Sequence, residues 1–174
     1  MRSTSDIRRI AFLIGMSVLL SGANSRPVRP SGATVHVFLS TECPISQQYV
    51  RQLSDLQRHY GPLGIRFVGW FPLRTDSPRI IRRFQTDYGL PFAGKPDAGA
   101  RLARQLRVRV TPEVVVMQPD GRVRYQGSID DWYAALGKRR AETTQHYLGD
   151  ALNAILAGKE VAIVRTDAVG CLVE

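Results

Sequence analysis

Short apolar runs alternate with amphipathic segments from residue 33 onward, a pattern typical of an α/β domain. The β-branched and aromatic run from Thr34 to Ser40 predicts a first strand, and the run from Ile65 to Phe71 predicts a second. Between them, apolar residues recur every three or four positions from Ile45 to Leu56, which indicates a helix ended by Gly61-Pro62. The spacing therefore predicts a strand–helix–strand unit with parallel strands.

Three further helices follow from capping residues and apolar spacing. Ser77-Pro78 is a good N-cap and first-turn proline for a helix that continues to about Tyr88, and Ala98 to Leu106 is a shorter helical stretch. Thr143 or Thr144 can cap a last helix, whose apolar stripe ends before Gly158.

A hairpin completes the predicted sheet. The runs from Val114 to Met117 and from Arg122 to Gly127 flank Gln118-Pro-Asp-Gly121, which suits a tight reversal between antiparallel strands. The element order predicts an α/β fold in which a central mixed sheet, a parallel pair plus an antiparallel hairpin, is flanked by helices.

Composition agrees with one globular domain. Of 174 residues, 44% are apolar and 22% are charged, which excludes a disordered, collagen-like or coiled-coil chain. The two cysteines, Cys43 and Cys171, are too few for a disulfide framework or a four-thiolate metal site.

The N-terminus has the pattern of a secretory signal peptide. Arg2, Arg8 and Arg9 precede an apolar run of 11 residues from Ile10 to Leu20, and the small residues of Ser21 to Ser25 follow. The run is short for a membrane span, so we expect export, to the periplasm in a bacterium; the alternative is an uncleaved N-terminus retained at the membrane.

The predicted organisation has four parts: signal peptide 1–25, linker 26–32, domain 33–158 and C-terminal tail 159–174. Cleavage removes three arginines and one aspartate, so the formal charge falls from +9 to +7. The basic residues are scattered and only Lys138 to Arg140 form a run, which favours a solvated surface over a nucleic-acid partner.

Cys43 lies where the first strand passes into a helix, with Pro44 in the first helical turn. The free amide groups and the positive end of the helix dipole favour its thiolate there. The hydroxyls of Ser40, Thr41 and Ser46 can donate hydrogen bonds to the sulfur. Cys43 is thus a candidate nucleophile, and an inert buried cysteine is the alternative.

Cys171 is the only available partner for Cys43. A C-x-x-C pair is absent because Ser46 stands where its second cysteine would be. Cys171 follows Gly170 on a tail that we expect to be flexible, so it can act as a resolving thiol. A permanent structural disulfide between the two cysteines is an equally open interpretation.

Three separate motifs resemble the thioredoxin-like superfamily: Phe38 to Pro44 after a first strand, Val110-Thr111-Pro112 before the third, and Pro119-Asp120-Gly121 in the hairpin. The segment Gln126 to Asp131, the residues His146, Leu148 and Ala151-Leu152, and the terminal Gly170-Cys171 are similar to exported redoxin domains of the alkyl hydroperoxide reductase and thiol-specific antioxidant group. The resemblance covers residues 33–174.

The resemblance implies a thioredoxin-like fold in which Pro112 is a cis-proline facing Cys43, and the backbone of Thr111 binds an extended substrate segment. It also implies that Cys43 attacks and Cys171 resolves. Ser46 departs from thioredoxin-type reductases. His36 and Pro112 stand where peroxiredoxins have a proline and an arginine, although Arg107 or Arg109 can supply a cation.

The sequence therefore predicts an exported thiol-dependent oxidoreductase that acts on a disulfide or a peroxide. We expect an external thiol reductant, a membrane-fed thioredoxin-like protein, and no cofactor, because no flavin, nicotinamide or haem motif is present. The alternatives are a non-catalytic binding module with a structural disulfide and a copper-handling module.

Overall fold

The computed structural model describes residues 32–173; the predicted signal peptide 1–25 and nearly all of the predicted linker 26–32 lie outside them. The strands are β1 (Thr34–Phe38), β2 (Arg66–Phe71), β3 (Gly94–Pro96), β4 (Val110–Thr111), β5 (Glu113–Met117), β6 (Val123–Gly127), β7 (Tyr133–Ala135), β8 (Lys138–Arg139) and β9 (Cys171–Leu172). The helices are α1 (Pro44–Tyr60), α2 (Pro78–Tyr88), α3 (Arg101–Gln105) and α4 (Tyr147–Leu156).

The central sheet has the order β3-β2-β1-β5-β6. Strands β1, β2 and β3 are parallel, whereas β5 is antiparallel to both β1 and β6. The predicted mixed sheet of a parallel pair and an antiparallel hairpin is confirmed, and β3 extends it by one edge strand. Strand β3 was not predicted, because Gly94–Pro96 has no run of β-branched residues.

Alternating side chains divide the core between the two faces of the sheet. Val35 and Val37 of β1 pack with apolar residues of α1, α2 and α4. Phe38 and Val115 point to the other face and pack with Ala103 of α3. The helices on both faces anchor β1, so the loop that follows it starts from a fixed point.

Three helix boundaries follow the predicted signals. α1 begins at Pro44 and ends at Tyr60, directly before Gly61-Pro62. Ser77 caps α2, and its hydroxyl accepts a hydrogen bond from the Ile80 amide at 3.4 Å.

The start of the last helix was predicted wrongly. α4 begins at Tyr147, not after Thr143 or Thr144. The Thr144 hydroxyl donates instead to the Asp131 carboxylate at 2.6 Å, and the amides of Thr144 and Gln145 also donate to it. These groups are thus bonded to a side chain outside the helix, and the segment before Tyr147 is not helical.

The tail is a docked segment, which corrects the expectation that it is flexible. Arg165 forms a bridge with Gln126, and the Thr166 hydroxyl accepts from the Ser128 amide at 2.9 Å. Gly127, with φ of +143°, leaves room for Thr166. Strand β9 then pairs with β4. Within residues 32–173, no helix is long and apolar enough to cross a membrane.

Candidate functional site

The two cysteines meet although 128 positions separate them in the chain. The Sγ atom of Cys171 lies 2.6 Å from the Sγ atom of Cys43. No disulfide bond joins them in this structure. A disulfide, with its bond of about 2.05 Å, therefore needs little movement of either main chain.

Cys43 is the N-cap residue of α1. Its backbone is extended, with φ of −80° and ψ of 114°, and its carbonyl accepts from the Gln47 amide at 3.0 Å. Pro44 follows at the first helical position, where the N–H group that proline lacks would have no partner within the helix. The strand-to-helix transition thus places the Cys43 sulfur where the first free amides of α1 point.

Burial raises the pKa of the Cys43 thiol, but hydrogen bonds from Cys171 and from the amide and hydroxyl of Ser46 outweigh burial and lower the pKa below its ordinary value. The pKa of Cys171 moves the other way. Burial, the hydrogen bond to Cys43 and the nearby Cys43 charge raise it to about 11. The arrangement therefore favours a Cys43 thiolate that accepts a hydrogen bond from a Cys171 thiol.

Of the three hydroxyls that the sequence placed near the sulfur, Ser46 is the one that lowers the pKa of Cys43. The Ser46 Oγ atom also accepts from the Ser40 amide at 3.2 Å. The other two hydroxyls make other bonds: the Ser40 Oγ atom accepts from the Glu42 amide, and the Thr41 hydroxyl donates to Asp76. Both fix the loop between β1 and α1, so they act on Cys43 only through its position.

Asp76 is a buried carboxylate that sequence reasoning missed. It is 2% exposed, and its Oδ1 atom accepts from the Thr41 amide at 3.1 Å and from the Thr41 hydroxyl at 2.5 Å. Among the described residues its Oδ2 atom has no hydrogen-bond partner. Burial raises the pKa of Asp76, although the bonds from Thr41 oppose the rise. The carboxylate ties the loop before Cys43 to the loop after β2.

The Thr111–Pro112 peptide bond is cis, and Thr111 contacts both cysteines. When Cys43 is protonated, its thiol donates to the Thr111 carbonyl at 3.1 Å. Thr111 is also the register partner of Cys171 in the β4–β9 pair. The backbone edge that was expected to bind an extended substrate is therefore occupied by the protein's own tail.

Gly170 allows this close pairing. A Cβ atom at residue 170 would lie 2.6 Å from the carbonyl carbon of Thr111 and closer still to its oxygen. No side chain fits there, so the residue before Cys171 has a steric reason to be glycine.

Several other candidates lie away from the sulfurs. His36 accepts a hydrogen bond from the Trp70 indole at 2.9 Å, which agrees with a structural histidine. His146 is exposed at the start of α4. The Arg109 guanidinium pairs with Asp167 at 3.2 Å, a contact within the tail interface. Arg107 adopts a positive φ of 56° in the loop before β4.

Asp130 and Asp131 fix the loop after β6 through hydrogen bonds. Asp130 accepts from the Tyr49 hydroxyl at 2.5 Å and from the Gln52 side chain at 2.7 Å. It thereby connects α1 to the segment that leads into β7. Over residues 32–173, no three histidine, cysteine, aspartate or glutamate side chains form a group able to hold a metal ion.

Comparison with solved structures shows a thioredoxin-like fold. An uncharacterized conserved protein from Geobacillus kaustophilus is 25% identical, with a TM-score of 0.72 over 84% of this chain and 79% of that one. A hypothetical protein from Sinorhizobium meliloti is 23% identical, with a TM-score of 0.72 over 83% and 80%.

The dsbF protein of MTB, solved in mixed oxidized and reduced forms, is 18% identical, with a TM-score of 0.54 over 72% of this chain and 81% of that one. No protein-family model matches the chain, and no curated protein matches it. The chain thus has a thioredoxin-like fold, and these comparisons do not confirm the narrower peroxidase group.

Proposed function

We propose that this thioredoxin-like chain is an exported thiol–disulfide oxidoreductase in which Cys43 is the nucleophile and Cys171 is the resolving thiol. The observation that carries the proposal is the 2.6 Å separation of two sulfurs from opposite ends of the domain, one of them at a helix N-terminus with a lowered pKa. A thioredoxin-like fold alone would not assign this chemistry.

The oxidation of the protein takes two steps. Once the tail has moved off Cys43, the Cys43 thiolate attacks one sulfur of a substrate disulfide, forms a mixed disulfide and expels the other sulfur as a thiolate. Cys171 then loses its proton and attacks the Cys43 sulfur, which expels the second substrate thiolate and leaves the Cys43–Cys171 disulfide. Two electrons pass to the substrate, and an external thiol reductant returns them.

A peroxide is the second candidate substrate. It would convert the Cys43 thiolate to a sulfenic acid, which Cys171 would condense to the disulfide with release of water. A disulfide substrate is favoured here because the Arg109 guanidinium pairs with Asp167 and the Thr111 carbonyl, an acceptor, faces the Cys43 sulfur. Neither feature polarises a peroxide bond.

The export part of the proposal rests on the pattern of residues 1–25. Expression of the full chain in a bacterium should give a periplasmic product whose N-terminus lies near residue 26. A product that keeps its first residues and stays in the cytoplasm would contradict export.

The redox chemistry is tested by alkylation of Cys43 as a function of pH in the wild type and in Cys171→Ser. We expect a midpoint below about 8.5, the ordinary cysteine value. Exposure of Cys171→Ser to peroxide and to glutathione disulfide then separates the substrates, as a sulfenic acid or a glutathione adduct on Cys43. An ordinary midpoint, with a disulfide that resists mild reductants, would indicate a structural disulfide instead.

A further inference from the structure

The two sulfurs of the pair differ in accessibility. Cys43 is 1% exposed, while Cys171 is partly exposed. Cys171 covers Cys43 on one side, and the Thr111 carbonyl contacts it on another. An external molecule therefore meets Cys171 first as long as the tail is docked.

A groove of about 400 Å³ leads to Cys171. Pro44, Ile45 and Gln48 at the start of α1 line one side, and Tyr133, Leu136 and Arg139 of the β7–β8 hairpin line the other. Cys171 is part of the lining and Cys43 is not. Among the residues that the structure describes, this groove therefore reaches the sulfur of Cys171 and not that of Cys43.

Hydrogen bonds hold the hairpin beside the helix. The Gln48 Oε1 atom accepts from the Tyr133 hydroxyl at 2.9 Å and from Arg139 at 3.1 Å. Leu136, at the tip between β7 and β8, is 66% exposed and contributes an apolar surface with no cover. The groove is therefore a formed feature of the fold, apolar along its length and cationic at Arg139.

We propose that the external thiol that reduces the Cys43–Cys171 disulfide enters this groove and attacks Cys171, and that the groove takes a thiol with an apolar body and a negative charge. The inference rests on the proposed function and deepens it, because it assigns the two halves of the cycle to different sulfurs.

The step balances as an ordinary exchange. The incoming thiolate forms a bond with the Cys171 sulfur, the Cys43–Cys171 bond breaks, and Cys43 leaves with the electron pair as a thiolate. A second thiolate attacks the incoming sulfur, releases Cys171 and carries away a disulfide of the reductant. Cys171 then takes a proton, and the reduced pair is restored.

The acidities of the two cysteines favour the same direction. Attack on Cys171 expels Cys43, whose thiolate is favoured by the amide and hydroxyl of Ser46 at the start of α1, whereas attack on Cys43 would expel Cys171, whose thiolate is disfavoured by burial. The sulfur of lower pKa leaves faster. Accessibility and leaving-group chemistry thus select the same bond-breaking step.

The positive charge of the β7–β8 hairpin indicates which kind of thiol the groove takes. Lys138, Arg139 and Arg140 are consecutive and exposed, and Arg140 pairs with Asp131 while Arg139 lines the groove. In an aromatic thiol that carries a carboxylate, the carboxylate can approach Arg139 while the aromatic ring packs beside Ile45 and Leu136. The oxidised protein is predicted to prefer 4-mercaptobenzoate to its neutral methyl ester.

The test is a rapid acid quench of oxidised wild-type protein with 4-mercaptobenzoate, followed by maleimide blocking and mass mapping. We expect at least tenfold more adduct on Cys171 than on Cys43. An adduct mainly on Cys43 would overturn this inference and leave the proposed function intact. No adduct on either cysteine would overturn both.

Two variants sharpen the result. Gly170→Ala, which removes the tail from Thr111, should move the adduct toward Cys43. Gly149→Ala is the control: its new Cβ atom meets only ordinary contacts, so the wild-type distribution of adducts should be kept.

Arg139→Gln should lower the rate with 4-mercaptobenzoate several-fold and leave the rate with the methyl ester unchanged, both at equal thiolate concentration. An equal loss for the two thiols would overturn the assignment of charge.

Discussion

Gly170 packs directly on the carbonyl group of Thr111, and this contact holds Cys171 over Cys43. The Val173 amide donates to the Arg109 carbonyl at 2.9 Å on the far side of the pair, so the contact is fixed from both ends. The order of the residues Gly170 and Cys171 is therefore a structural requirement of the dithiol.

Gly170→Ala is expected to destabilise the reduced protein by about 1–3 kcal/mol, because the added methyl group overlaps main-chain atoms that have no room to move. It should also slow formation of the Cys43–Cys171 disulfide. Urea denaturation and the rate of oxidation by glutathione disulfide measure the two effects. Gly149→Ala is the control, and its stability should be unchanged or slightly raised because alanine favours a helix interior. Equal behaviour of the two variants would contradict the role of the contact.

Ser46→Ala is expected to raise the alkylation midpoint of Cys43, because the Ser46 hydroxyl is one of the groups that lower the pKa of the thiol. The amide of residue 46 remains, so part of the lowering of the Cys43 pKa should persist. Ser54→Ala, on the same helix with its hydroxyl bonded to the Val50 carbonyl at 2.7 Å, is the matched control. A midpoint that stays at the wild-type value in Ser46→Ala would show that this hydroxyl does not stabilise the thiolate.

Titration of the reduced protein should show two thiolate steps, one below the ordinary cysteine range and one near pH 11. The two apparent pKa values belong to the pair, because each sulfur senses the charge of the other. The lowered pKa of Cys43 adds stability above its unfolded pKa, and this stability is lost as the pH falls through the folded pKa. The raised pKa of Cys171 adds stability below its unfolded pKa, which is lost as the pH rises to about 11. Ultraviolet thiolate absorbance and stability measured against pH check both signs, and a single step near the ordinary value would contradict them.

Thr41→Val is expected to cost about 1–3 kcal/mol, because it removes the hydroxyl donor of a buried carboxylate and leaves Asp76 with the Thr41 amide. Thr86→Val is the control, since the Thr86 hydroxyl bonds to the Arg82 carbonyl at an exposed site on α2. The loss of stability caused by Thr41→Val should be smaller in an Asp76→Asn background, because residue 76 then carries no charge. A double-mutant cycle by urea denaturation measures this coupling, and a loss of equal size in both backgrounds would contradict it.

The sequence was most informative where local rules determine structure. Cys43 could be placed at a strand-to-helix transition because the apolar run before it and the proline after it are both local signals. The hairpin around Gln118 to Gly121 and the cap at Ser77 were predicted for the same reason. Each depends on neighbours within a few positions along the chain.

Long-range contacts between irregular segments were not predictable in this way. The Thr41–Asp76 bond joins two loops 35 positions apart, and neither loop has a periodic pattern. The start of α4 was misplaced because Asp131 takes the groups that a helix cap would otherwise use. The tail looked flexible because its glycine was interpreted as conformational freedom, whereas the residue that explains it, Thr111, is 59 positions away.

The anchor at Thr166 and Asp167 limits how far Cys171 can travel once it is released. The Ser128 hydroxyl donates to the Asp167 carbonyl at 2.8 Å, so about four residues of free chain separate the anchored point from the sulfur. Such a tether reaches at most about 14 Å. A detached Cys171 therefore remains at millimolar or higher local concentration around Cys43, and ring closure within one molecule should outpace cross-linking between molecules even in a crowded compartment.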